Sequence, residues 1–275
     1  MNSPTHETAL IAGRFLTARR TATGLAAYPG PLPRTLDEAY AVQDAAVASW
    51  GKRVVGWKVG RVVPPLSERF GTDRLAGPIF ADQVALADGA DPVMPVFADG
   101  FIAGEAEFLL RVAAPPPPGQ ARFSLAEAAA LIDRVHVGIE IASSPLGAIN
   151  AIGPAAIVSD FGNNNGLVVG PEIPAWRASG FEDWDVVTAI DGEVVGTGRA
   201  RGFPDGAIGA ARFLFELLAQ RAIPLEAGQW ISSGAVTGVH DALPGQRIEA
   251  RFADGFGVAC RLAAAAADEA GGDSN

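Results

Sequence analysis

The sequence is poorest in the residues that most often build reactive sites. One cysteine, Cys260, stands among 275 residues. No intrachain disulfide can form, and a thiolate zinc centre would lack its ligands. Cys260 lies in the apolar stretch Gly257–Leu262, the setting of a packed structural thiol. The three histidines are His6, His136 and His240, and their placement suggests no Ser-His-Asp arrangement. Lysine is nearly missing as well: of 21 basic side chains only Lys52 and Lys58 are lysines. No run approaches the roughly 18–20 apolar residues of a membrane span, and the N-terminus lacks the apolar core of a signal peptide. A cytoplasmic location is expected on that basis. No glycine-rich turn of the dinucleotide or P-loop type follows a candidate strand, and no fixed-period repeat is present.

What the chain does contain is apolar mass and negative charge. Hydrophobic residues make up 49% and charged residues 19%, enough to bury a full core rather than stay disordered. The net charge of −10 and pI of about 4.8 repel phosphate backbones and argue against a nucleic-acid partner. The same charge opposes an anionic small molecule, unless a cation inside the site reverses the local sign.

Helical spacing over Glu7 to about Arg20 and over Thr35–Trp50 predicts two helices at the front, the second opening with a capping-box pattern, Thr35-Leu36-Asp37-Glu38. From Arg53 the character turns to β. Strands are expected at Val54–Val59, Glu105–Val112, Val135–Ala142, Leu167–Val169, Asp185–Ile190, Glu193–Gly198, Trp230–Ser233, Ile248–Phe252 and Phe256–Leu262. Asp191-Gly192 and Asp254-Gly255 mark hairpins. Helices are expected at Ser124–Asp133 and Gly206–Gln220, and Pro115–Pro118 forms a stiff connector. The pattern reads as a mixed α/β chain, mostly antiparallel β, without the strand–helix alternation of a doubly wound fold. Residues 1–52 form a helical segment packed on a catalytic β-rich body at 53–262, and 263–275 form a poorly ordered tail.

Glu105 and Glu107 are two apart on a strand, so both carboxylates point to one face. In the next long strand His136, Gly138 and Glu140 alternate with Val135, Val137, Ile139 and Ile141. Glu140 thus joins an uncrowded polar face. Three carboxylates without cysteine or clustered histidine suit a hard cation, Mg²⁺ first and Mn²⁺ or Ca²⁺ next; a solvated outer sheet face would carry the same residues. Lys58 sits between glycines in an apolar strand, Gly56-Trp57-Lys58-Val59-Gly60. There a lysine can trade a proton or hold a carboxylate, which arginine does less well, although an edge lysine could also snorkel. Ser159–Gly166, with Asp160 and three successive asparagines, offers either an ordinary turn or orienting hydrogen bonds. Ser233-Gly234 opens a glycine-rich turn with free N–H groups suited to a carboxylate.

The ordered series GWKVG, GEAEFLLRV, HVGIEIASS, SDFGNNNGLVVG and WISSGAVTG resembles the fumarylacetoacetate hydrolase superfamily over about residues 8–262. Within it, the branch of 2-oxopent-4-enoate (2-hydroxypentadienoate) hydratases and 4-oxalocrotonate decarboxylases is the one it looks like. The resemblance implies a distorted β-barrel-like roll with N-terminal helices, assembled as a homo-oligomer, with a pathway aldolase or decarboxylase as a further partner. It implies Mg²⁺ or Mn²⁺ on Glu105, Glu107 and Glu140, Lys58 as the active-site lysine, and Asp160, Asn164, Ser233 and Gly234 on a small 2-oxo or 2-hydroxydienoic acid. It further implies a hydro-lyase, adding water to 2-hydroxypenta-2,4-dienoate-like acids in aromatic-compound catabolism. A 2-oxo acid decarboxylase, a C–C-bond hydrolase and a non-catalytic acid-binding protein are the alternatives. One departure stands out. Hydratases of this branch carry an aspartate shortly before the glycine that follows the lysine strand, whereas this chain reads Thr72-Asp73-Arg74-Leu75-Ala76-Gly77, leaving Asp73 as the substitute acid.

Overall fold

The computed structural model describes residues 5–268. Helices α1 (His6–Thr21) and α2 (Leu36–Trp50) open the chain. Thr5 and Thr35 cap them, each hydroxyl accepting from a backbone N–H three residues on. Glu38 does not close the expected reciprocal box; its carboxylate accepts from the N–H of Arg34 instead, one residue before the cap.

The body follows as β1 (Val54–Arg61), α3 (Leu66–Phe70), β2 (Arg74–Phe80), β3 (Val84–Leu86), β4 (Val93–Val96) and β5 (Phe101–Val112). Next come α4 (Leu125–Ala130), β6 (Ile132–Ser144), α5 (Ile149–Ile152), α6 (Pro154–Ser159), β7 (Asn164–Glu172) and α7 (Trp176–Ser179). The chain closes with β8 (Val186–Ile190), β9 (Glu193–Gly198), α8 (Gly206–Gln220), β10 (Trp230–Ser232), β11 (His240–Asp241), β12 (Arg247–Phe252) and β13 (Gly257–Ala264). The larger sheet runs β2-β1-β10-β5-β6-β7-β3 with β11 also on β5, and the smaller runs β4-β13-β12-β8-β9. The pairs β1–β10, β3–β7 and β4–β13 are parallel and the remaining strand pairs antiparallel. This is the mixed, mostly antiparallel roll expected from the sequence.

The long strands β5 and β6 are buried on both sides. Phe108, Leu110, Val135, Val137 and Ile139 share a core with Val258 and Ile248 of the smaller sheet and Leu214 and Phe215 of α8. The opposite face meets the front helices at one end, where Ala103 and Ala142 pack with Phe15, Val42 and Phe161. Glu105 and Glu107 of β5 and Glu140 of β6 therefore point into protein, not into water.

Two expectations need correction. Residues 74–80, for which no strand is expected from the sequence, form a fully buried strand. Ala-Gly-Pro looks like a turn, but β2 lies at the edge of its sheet, where Pro78 has no second neighbour to supply. The tail also begins later than position 263. β13 continues to Ala264 on β4, Ala265 N–H donates to the Val96 carbonyl, and Asp268 N–H donates to that of Arg20. Residues 269–275 lie outside the described residues. Among the described residues no helix is long and apolar enough to cross a membrane.

Candidate metal centre and active cavity

The site runs across adjacent strands. Glu105 faces Glu140 directly in the β5–β6 register, and Glu107 faces Gly138. One carboxylate oxygen from each glutamate lies within 4.8 Å of the other two. All three side chains are buried: Glu105 is 4% exposed, Glu107 and Glu140 0%. A solvated sheet face is thereby excluded. Next to β5 runs β10, then β1, whose register places Lys58 beside Ser232. Lys58 is also buried. Its ammonium lies 3.3 Å from Glu140 Oε2 and donates to Asn163 Oδ1 at 3.2 Å.

Buried charge of one sign is costly unless compensated. Burial pushes the Glu105 carboxyl up to about 7, with Lys58 pulling it down and Glu140 pushing it further up. Burial, then Glu140 and Glu105, drive Glu107 well above the ordinary carboxylate range. Burial alone would lower Lys58, but Glu140 first, then Glu105 and Glu107, outweigh it and raise the lysine instead. One ammonium thus faces three carboxylates. The residues fit a divalent cation on two further counts. Glu107 Oε1 and Asn164 Oδ1 are buried without any hydrogen bond, and Glu140 Oε2, though near Lys58, receives no well-directed one. The free atoms are hard oxygen donors, the set that suits Mg²⁺ or Mn²⁺.

The other oxygens of the glutamates are fixed by this chain. Glu107 Oε2 accepts from the Ser232 hydroxyl and from Gly234 N–H at 2.8 Å. Glu140 Oε1 accepts from Asn164 Nδ2 at 2.9 Å. Here the structure revises several expected roles. Gly234 does not present a free N–H to a substrate, because Glu107 takes it; its φ of +111° sets that direction. Asn164 likewise orients a carboxylate. Ser233 is buried, and its hydroxyl finds no partner. Asp160 is 0% exposed and bound by Arg19, Nε to Oδ1 at 2.6 Å and Nη2 to Oδ2 at 3.0 Å, with the Ser144 hydroxyl on Oδ2 at 2.6 Å. Its oxygens are spent on tying α1 to the 160–165 segment, not on a ligand. Asp73 sits at the surface, its side chain 49% exposed, 3.5 Å from Arg74; it is not an acid of the site. The space beside Gly138, which looked like room next to Glu140, is filled by Leu109.

A cavity of about 540 Å³ opens beside Lys58 and Glu105. Its walls include Val62, Leu75, Ile157, Asn163, Phe203 and Val236, and Arg61 stands at its rim. Several of these were missed in the sequence. Asn163 was one asparagine among three, and nothing local said which would reach Lys58. Gly77, opposite Lys58 in β2, has a strict role: a Cβ there would fall 2.0 Å from the Phe161 carbonyl oxygen, so only glycine lets the turn carrying Asn163 approach. Leu75, two residues before Gly77 and paired with Gly60, lies on the lysine's face and puts an apolar side chain on the cavity wall.

No family model matches the sequence. Solved structures do match its fold. The 4-oxalocrotonate decarboxylase from Pseudomonas putida G7, complexed with magnesium and adipate, superposes with a TM-score of 0.78 at 20% identity, over 95% of this chain and 99% of that one. The chain has the fumarylacetoacetate hydrolase fold. The fumarylpyruvate hydrolase from Pseudomonas aeruginosa, in complex with Mn²⁺ and pyruvate, matches at TM-score 0.55 and 16% identity, over 78% of this chain and 91% of that one. The 2-hydroxyhepta-2,4-diene-1,7-dioate isomerase from Mycobacterium marinum matches at 0.55 and 15%, over 78% and 77%. The decarboxylase matches nearly end to end.

Proposed function

We propose that this protein is a divalent-metal-dependent lyase acting on small 2-oxo or 2-hydroxydienoic acids. The observation that carries the reading is the buried set Glu105, Glu107 and Glu140, with free oxygens, beside Lys58, where Lys58 and Glu105 line a cavity. Glu105, Glu107 and Glu140 would hold the cation, which would supply the local positive charge that an anionic acid needs and Lewis-acid stabilisation of negative charge developing on it. The chain's own groups do the rest. Lys58 Nζ is the one ammonium at the cavity wall and can carry a proton to or from a substrate carbon. Asn163 fixes its direction, and Asn164, Ser232 and Gly234 fix the carboxylates. Val62, Leu75 and Ile157 exclude water from the apolar middle of the substrate.

Hydration of 2-hydroxypenta-2,4-dienoate is the first reaction to test. With Mg²⁺ the dienol absorbance should decay, and without it the decay should stop; no metal-dependent decay would remove hydration from the reading. Decarboxylation of a 2-oxo diacid is the second reading, and Leu75 favours it. Hydration needs water placed by an acid or base, and the ionisable residues along the cavity wall are Lys58, Arg61 and Glu105. Loss of CO₂ needs the electron sink and an apolar wall. Metal-dependent CO₂ release from a 2-oxo diacid, without dienol hydration, would select it.

A further inference from the structure

Asn163 brings its amide to Lys58 from an uncommon backbone. Phe161, Gly162 and Asn163 have φ of +55°, +67° and +56° in succession, a left-handed turn that strains the two non-glycine residues. The surroundings hold it in place. The Phe161 ring packs on those of Phe80 and Trp50, at 4.9 and 6.2 Å between centroids, and Asn163 N–H donates to the Asp160 carbonyl at 2.8 Å. An ammonium has donors only, so Lys58 Nζ takes the oxygen of the Asn163 amide, at 3.2 Å, and turns its nitrogen away. That nitrogen, Nδ2, donates to Asn150 Oδ1 at 3.1 Å. The charge of one lysine thus fixes the sense of both amides in the row. Asn150 is exposed, lines the same cavity, and sits on α5 beside the buried anchor Ile149.

From this row we infer that Asn150 is a positioning residue for Lys58 that acts through Asn163. Its side-chain oxygen holds the Asn163 amide against rotation, so Asn163 Oδ1 stays on the ammonium and the ammonium keeps one direction in the cavity. The inference rests on the reading of Lys58 as the proton carrier. What it requires at position 150 is an acceptor; the Asn150 Nδ2 group plays no part.

The chain has two lysines, so the Mg²⁺-loaded full chain labelled with ¹⁵N at lysine Nζ gives one NMR signal for Lys58 and one for Lys52, the control. The readout is the rate at which the Lys58 ammonium exchanges its protons with water. Asn150→Ala should speed it roughly three- to tenfold, the effect of one neutral hydrogen bond. Asn150→Asp keeps an acceptor and should hold the rate at or below the native one. Adding Asn150→Ala to Asn163→Ala should change nothing further, because the two act in series. An unchanged rate in Asn150→Ala, equal losses in Asn150→Ala and Asn150→Asp, or an undiminished added effect in the double variant would overturn the assignment of Asn150. The same Mg²⁺-loaded protein in D₂O should exchange the C3 hydrogens of 2-oxobutanoate, and Asn150→Ala should slow this. No exchange by the native protein would overturn the proton-carrying role of Lys58 itself, a failure distinct from that of Asn150.

Discussion

Lys58 Nζ lies 3.3 Å from Glu140 Oε2 and 3.2 Å from Asn163 Oδ1, which ties one ammonium to both the carboxylate cluster and the turn before β7. Replacing it separates catalysis from metal binding. Lys58→Met should lower kcat by roughly 10²- to 10⁴-fold, the range for loss of a proton-transfer group, while Mn²⁺ still binds. Lys58→Arg should not restore turnover, because a guanidinium does not release its proton. Full activity in either variant would show that the lysine carries no proton.

Three buried carboxylates against one ammonium make the metal-free site costly to ionise, and Glu107 is held well above the ordinary carboxylate range. Glu107→Gln, which mimics the protonated carboxyl, should therefore leave the melting temperature of the metal-free protein unchanged or raise it. It should also abolish the stabilisation by Mn²⁺, which at a hundred times Kd is about 2.7 kcal/mol for the native chain. Thermal melts with and without Mn²⁺ check both parts. An undiminished metal-induced shift would mean that Glu107 is not a ligand.

Glu105 is pushed up to about 7 from an ordinary value of 4.5. The folded metal-free chain then holds a proton that the unfolded chain has released. Unfolding frees that proton, so stability is fully present below about 4.5 and falls as the pH rises through about 7. Metal affinity runs the other way, because ligation requires the ionised carboxylate. Melts from pH 5 to 8 should show a declining metal-free protein and a growing Mn²⁺ shift. A metal-free stability flat across that window would contradict the placement of Glu105 among buried like charges.

Arg19 and Asp160 are buried together, 5% and 0% exposed, with Nε and Oδ1 2.6 Å apart. Arg19→Met strands the Asp160 carboxylate and should cost roughly 3–5 kcal/mol, whereas Arg19→Met with Asp160→Leu should recover much of the loss. Denaturant unfolding of the two variants checks this. A single variant costing under about 1 kcal/mol would mean that Asp160 is not held by Arg19.

The sequence by itself determined which face each residue takes. Alternation along β5 and β6 is a local property of the extended chain, so Glu105 with Glu107, and Glu140 apart from Val137 and Ile139, could be read without any partner strand. The Thr35 cap that opens α2 was legible in the same way, through the backbone groups a helix leaves open. The tertiary structure decided everything that depends on who stands opposite. The β5–β6 register sets Glu105 against Glu140, and the closeness of β1 and β10 brings Lys58 to them. It assigned Asn164 and Gly234 to carboxylates, Asp160 to Arg19 and Asp73 to the surface, and it put Leu75 and Arg61 along the cavity. The metal centre began as three glutamates that a wet sheet face could also have carried. Burial on both sides of the sheet removed that alternative, because three carboxylates packed away from water need a cation between them.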